Sequence, residues 1–184
     1  DMDPIFIGAN SNIQDGVVIH ALKDRHVRVA GESWAVYIGR HVSIAHDALV
    51  HGPSYIGDDT FVGFKAVVHD AVVGSHCFIG AGSVIGQNVR LQTGVFLPRG
   101  SIVKDNVFIG PHVVCTDDKY PRAGNHGYEA RPPRIWAGAS IGAGAVILPG
   151  VIIGRNAMVA AGAVVTHDVN AEEKVIGIPA RKVA

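Results

Sequence analysis

Residues 38–62 read IGRHVSIAHDALVHGPSYIGDDTFV. A large aliphatic returns at every sixth position: Ile38, Ile44, Val50, Ile56 and Val62. Four residues after each of the first four stands a smaller side chain: Val42, Ala48, Ser54 and Thr60. A helix needs apolar spacings of three and four, so a step of six excludes helix here. Six residues suit one short strand followed by a turn.

The step extends both ways. Upstream it falls on Ile7, Ile13 and Ile19. Downstream, after a one-residue slip near Val67 and Val68, it falls on Val73, Ile79, Ile85, Leu91, Leu97, Val103 and Ile109. After a second gap it resumes at Ile135, Ile141, Ile147, Ile153, Val159 and Val165. Ser83, Ala145, Ala157 and Ala163 continue the small position. Three such sides close a triangular coil of about 18 residues, with the aliphatics filling its interior corners. Stacked coils pair their backbones in parallel about 4.8 Å apart, and each buries its face only against its neighbours. The expected fold is all-β: one single-stranded parallel β-helix of about seven coils. The known hexapeptide-repeat families wind left-handed, against the usual crossover rule, and that resemblance implies a left-handed coil.

Two excursions break the step. Residues 21–37 hold about 13 residues beyond it, and residues 116–134 about 14. On a rigid prism, function concentrates on such segments. The tail, residues 170–184, leaves the repeat and is expected to cap the end. The whole chain of 184 residues reads as one domain.

The net charge of +0 points to neither nucleic acid nor a membrane surface. No apolar run approaches the roughly 18 residues that cross a bilayer. The start, DMDPIFIG, has neither a basic nor an apolar signal region, and the missing Met suggests a fragment or an engineered chain. Cys77 and Cys115 lie far apart, as two free thiols in a reducing, cytoplasmic setting.

Three histidines carry the candidate chemistry. His20 and His51 are each the second residue of the third side of their coil, so they are expected to stack one strand spacing apart, facing outward. His46, on the second side, faces out from a different side of the prism. The five-residue spacing of His46 and His51 says little alone, since it recurs at His41 and His46. Two imidazoles bind a metal without completing a site, and a catalytic zinc takes three protein ligands and an open position. A trimer resolves this: one subunit gives His20 and His51, and its neighbour gives His46, in three equivalent sites.

Residues 5–103 resemble the γ-class carbonic anhydrases and their carboxysome-associated relatives. The strings that carry this are SNIQDGVVIHAL, VYIGRHVSIAHDALVHGP and IGDDTFVGFKAVV. The resemblance implies a lyase that hydrates CO2 to bicarbonate, working as a homotrimer in the cytoplasm or a carboxysome-like compartment. It implies Zn2+ between subunits, held by His20, His46 and His51; Fe2+ and Co2+ suit imidazoles equally. It also implies that Gln14 orients the zinc-bound solvent and that Asp15 joins an interface ion-pair network. Three features depart from that pattern. The coil that holds an arginine in the family is absent, with Asp1 standing where its acidic run ends. Lys23 replaces a glutamate proton shuttle, leaving Glu32, Asp24 or His69 as relays. The long terminal helix of the family is also missing.

Residues 104–184 resemble hexapeptide acetyltransferases that modify amino sugars on nucleotide carriers. The strings are DNVFIGPHVVCTDDKYPRA, ASIGAGAVILPGVIIGRNAMVAAGAVVTHDV and KVIGIPARKVA. This implies an alternative, acetyl-CoA-dependent N-acetylation, with Lys119, Tyr120 and Arg122 near the acceptor and Arg181 near the cofactor phosphates. Asp117 stands where those enzymes carry asparagine, and Gln92 to Gly94 depart from their QNN. An inactive assembly scaffold is the third reading. The join, near residues 90–105, keeps the six-residue phase, as a natural mosaic or a deliberate chimera both would.

Overall fold

The computed structural model describes residues 3–183. Asp1, a residue of interest above, lies outside them. The chain is a left-handed parallel β-helix. Its sides are three long sheets, of ten, eight and seven strands, and each strand is two or three residues long. The first sheet starts at Ile5–Ile7, the second at Asn12–Ile13 and the third at Val18–His20. One layer up, these pair in parallel with Val36–Ile38, Ser43–Ile44 and Leu49–His51. Among the described residues there is no helix, and none therefore long and apolar enough to cross a membrane.

The six-residue step is the register itself. Ile7 pairs with Ile38, Ile13 with Ile44 and Ile19 with Val50. Ile38, Ile44, Val50, Ile56 and Val62 are fully buried, as are Ile79, Ile85, Leu91 and Leu97 further along. Ile7, in the first coil, is 45% exposed. Ser54, Thr60 and Ser83 fill the small position, buried with their hydroxyls bonded to backbone carbonyls. The glycine after an inward aliphatic lets layers close. At Gly63 an added Cβ would stand 2.5 Å from the backbone nitrogen of Ala81 in the next layer.

The structure moves two details of the repeat. Val68 is on step and buried, and the missing residue falls at the corner between it and Val73, where Asp70 takes a φ of 52°. The step also runs one side past Ile109, to Cys115, which pairs with Ile147 and is fully buried. A thiol packs as a small hydrophobe, so it fills an aliphatic slot.

The excursions are slightly shorter than 21–37 and 116–134: Val36 and Tyr37 already belong to the first sheet, and Arg134 to the third. The first holds an antiparallel hairpin, Val27–Val29 with Glu32–Trp34, and Trp34 packs on Phe6 at 5.2 Å. The second, between Val114–Cys115 and Arg134–Ile135, contains no strand. Strand pairs run through residues 90–105 without a break: Arg90–Leu91 with Phe108–Ile109, and Ile102–Val103 with Arg134–Ile135. At the far end, Lys174–Ile176 joins the first sheet and turns back antiparallel to Arg181–Val183, closing the coil.

Candidate metal centre

The third sheet sets His20 opposite His51, in register. Their imidazoles stack, with centroids 4.8 Å apart and planes 27° off parallel. The column has a third member that the sequence reading treats only as a relay. His69 pairs with His51 and meets it edge-on, 4.5 Å between centroids at 80°. Its signal is plain in retrospect: it lies one uninterrupted coil after His51.

His51 has one ring nitrogen engaged. Its Nδ1 lies 2.9 Å from the carbonyl oxygen of Gly52. A carbonyl only accepts, so that nitrogen carries the hydrogen and Nε2 keeps its lone pair. Burial lowers the His51 pKa. The Gly52 bond opposes this, nearby His69 and His20 push it further down, and Asp70 pushes it up. The net direction favours the neutral imidazole, the form that binds a metal.

His46 stands elsewhere. It follows Ser43–Ile44 at the corner between the second and third sheets, exposed, with its ring stacked on Phe64 at 5.6 Å and 18°. Gln14 is its neighbour one layer down: Gln14 Oε1 accepts the His46 N–H at 3.2 Å. Asp15, also exposed, accepts the Asp47 N–H through its carbonyl at 3.1 Å. Gln14, Asp15 and His46 thus share one corner of the third sheet, and His20 and His51 sit at the opposite edge. Among the described residues of one chain, no three His, Cys, Asp or Glu side chains are gathered to hold a metal.

Of the relay residues, the structure brings His69 to the column. Lys23 is exposed on the first excursion, Asp24 donates its N–H to Asp3 Oδ2 at 2.7 Å, and Glu32 lies in the hairpin.

The acetyl-transfer residues lie in two places. Lys119, Tyr120 and Arg122 line a cavity of about 260 Å³ with Asn125, Tyr128 and Arg131. The Tyr128 hydroxyl donates to Asp117 Oδ2 at 2.5 Å, and that bond raises the Tyr128 pKa. The Arg99 guanidinium stands 5.7 Å over the same ring. Arg181 lines a separate cavity with His167 and Asp168. Gln92 is half-buried, and Gly94 lies under the His112 ring.

The repeat described as Bacterial transferase hexapeptide (six repeats) matches residues 53–87 and 133–167. The carbonic anhydrase of Methanosarcina thermophila is 42% identical over 126 residues, covering 62% of this chain and 50% of that protein. The carboxysome assembly protein CcmM of a Nostoc species is 42% identical over 103 residues, covering 54% of this chain and 18% of that protein. The chain therefore spans half or less of the length of these relatives. Among solved structures, the acetyltransferase domain of PglB from Neisseria gonorrhoeae, in complex with acetyl coenzyme A, aligns at a TM-score of 0.48 and 25% identity. That alignment covers 77% of this chain and 57% of that one. The hexapeptide repeat is thus matched over residues 53–87 and 133–167 of a parallel β-helix, and the chain is similar along part of its length to carbonic anhydrases.

Proposed function

We propose that the protein hydrates CO2 to bicarbonate at a metal ion shared between subunits of a homotrimer. His20 and His51 of one subunit and His46 of the partner subunit are the proposed ligands. The observation that carries this reading is the in-register pair: two imidazoles 4.8 Å apart on one sheet edge, with the tautomer of His51 set by Gly52. Similarity to proteins named carbonic anhydrase supports it.

The donor set fits zinc, and equally iron or cobalt. A pair leaves the site one protein ligand short. His46 stands at the other edge of the same sheet, so a threefold axis facing that sheet would bring pair edge against lone edge three times over. Over its first five strands the outward residues of the third sheet agree with a covered face: Val18, Leu49, Val67, Val84 and Ile102 are apolar, and Arg134 ends the run. When bound, zinc would supply water acidified to a pKa of about 7.

Gln14 holds the His46 backbone through Oε1, which leaves its amide N–H groups to orient the reacting oxygen. Asp15, on the same corner, would pair with a cation across the interface. Residues 5–103 carry the site, and residues 104–184 lengthen and cap the prism. The proposed setting is the cytoplasm, or a carboxysome-like compartment in keeping with the similarity to CcmM.

A second reading, acetyl transfer from acetyl-CoA to an amino sugar, draws on the cavity around Lys119, Tyr120 and Arg122. Calorimetric binding of acetyl-CoA, lost on substituting Arg122 and Arg181, would favour it.

The test of the first reading mixes two defective chains. His46→Ala keeps the pair, and the double variant His20→Ala, His51→Ala keeps His46. Each alone should lose zinc and CO2 hydration. Co-refolded at equal ratio, they should regain about one site in four, because a complete site needs the pair from one variant beside His46 from the other. Mixed trimers that form yet bind no metal would sink the intersubunit site. Full zinc occupancy in His46→Ala alone would remove His46 from it.

A further inference from the structure

The first excursion leaves the third sheet at Ala21, directly after His20, and rejoins the first sheet at Val36. His20, His51 and His69 each stand one residue before the same corner, occupied in turn by Ala21, Gly52 and Asp70. The excursion therefore starts at the corner that bounds the imidazole column. Its opening residues are tied at two levels. Below, the Asp24 N–H donates to Asp3 Oδ2 at 2.7 Å, and His26 Nε2 lies 3.3 Å from the same oxygen. Above, Arg25 Nη2 donates to Asp70 Oδ2 at 2.6 Å. Ala21 and Asp70 are two layers apart, about 10 Å, so the link from Ala21 through the Arg25 side chain crosses the level of His51 and Gly52.

An ion pair between two exposed side chains holds a loop weakly. This pair is of another kind. The Asp70 side chain is 9% exposed while that of Arg25 is 52% exposed, so a nearly buried carboxylate draws its cation from the excursion. Charged hydrogen bonds to buried partners are the stronger class, and removing one partner leaves the other desolvated.

We infer that Arg25 is a positioning residue of the candidate metal centre, an inference that rests on reading His20 and His51 as ligands. Through Asp70 it straps residues 21–26 across the corner and closes the first-sheet side of the imidazole column to solvent and chelators. The open side of the column is then the one toward the proposed partner subunit.

The test is Arg25→Gln in the full chain, read by diethyl pyrocarbonate modification of each histidine, followed by mass spectrometry. In metal-free protein, His51 and His69 should react about tenfold faster than in the wild type. His41, His76 and His112, on the corner between the first and second sheets, should keep their rates. Arg25→Lys should restore most of the protection. Asp70→Asn should match Arg25→Gln, and the double variant should add nothing, as befits one shared interaction. Zinc-loaded Arg25→Gln should also yield its metal to a chelator about tenfold faster, with faster amide exchange confined to residues 21–26. If the wild type takes up no metal, the ligand reading fails, and the modification pattern still decides the strap. Unchanged rates at His51 and His69 in both Arg25→Gln and Asp70→Asn overturn the inference. Acceleration that spreads to His41, His76 and His112 overturns it as well, because it reports general loosening.

Discussion

The ring of His51 lies between those of His20 and His69, stacked on the first and edge-on to the second. The two contacts are not equivalent. The His20 and His51 planes are 27° off parallel on adjacent layers, whereas His69 is turned across His51 by 80°. This orders their expected contributions to metal binding. His51→Ala should abolish zinc uptake and cut CO2 hydration by at least about a hundredfold, and His69→Ala should keep near-stoichiometric zinc. Elemental analysis of the two purified variants checks this, and zinc loss in His69→Ala with retention in His51→Ala would reverse the assignment.

Cys115 gives a pH prediction. Burial pushes its thiol up from 9.0 to about 12. The folded state holds the thiol neutral, and the unfolded chain lets it ionise near its ordinary value. The stability this secures is fully present below about pH 9 and is lost as pH rises toward 12. Cys115→Val should flatten that decline, measured by urea unfolding between pH 8 and 11. Under native conditions at neutral pH, iodoacetamide should leave Cys115 unmodified.

Asp58 gives the opposite sign. The Arg40 N–H donates to its Oδ1 at 2.8 Å, and the Arg40 guanidinium lies 3.1 Å from Oδ2. The backbone bond, reinforced by the guanidinium, holds the Asp58 pKa below its ordinary 3.8 despite some burial. Its stabilisation is present above about pH 4 and fades as pH falls through the lowered value. Asp58→Asn should therefore cost stability at pH 7 and little at pH 2, as read by thermal unfolding at the two pH values.

The interior should answer to truncation as a packed core does. Ile141 is fully buried in the seventh layer, far from the candidate metal centre. Ile141→Ala should destabilise the protein by about 2–5 kcal/mol, with zinc content unchanged. Chemical denaturation beside metal analysis separates the two effects.

The repeat was legible because each layer uses the same rule. A step of six places every aliphatic, and with it the outward neighbours, so the register of His20 with His51 could be counted across a break of 13 residues. The same count reaches His69, 18 residues past His51, and a search restricted to known ligand spacings passes over it. Cys115 escaped because a thiol does not look like an isoleucine in sequence, although the slot accepts either. Arg25 and Asp70 were out of reach for a different reason. An excursion has no register with the coil beneath it, so nothing in the spacing says which layer its side chains will touch. That His46 stands apart from the pair was legible, its seat at the corner shared by the second and third sheets was not, and what faces it is a property of assembly rather than of one chain.

The uninterrupted pairing through residues 90–105 makes the prism a ruler. The distance between the two excursions can change only by whole layers, each about 4.8 Å thick. Excising one complete turn, residues 74–91, would join Val73 to Gln92 in phase and lower the second excursion toward His46 by one graduation without rotating it. Inserting a turn would raise it by the same amount. Distance between the two ends of the molecule is thus quantised, and a lineage, or a designer, can tune it only in units of a turn.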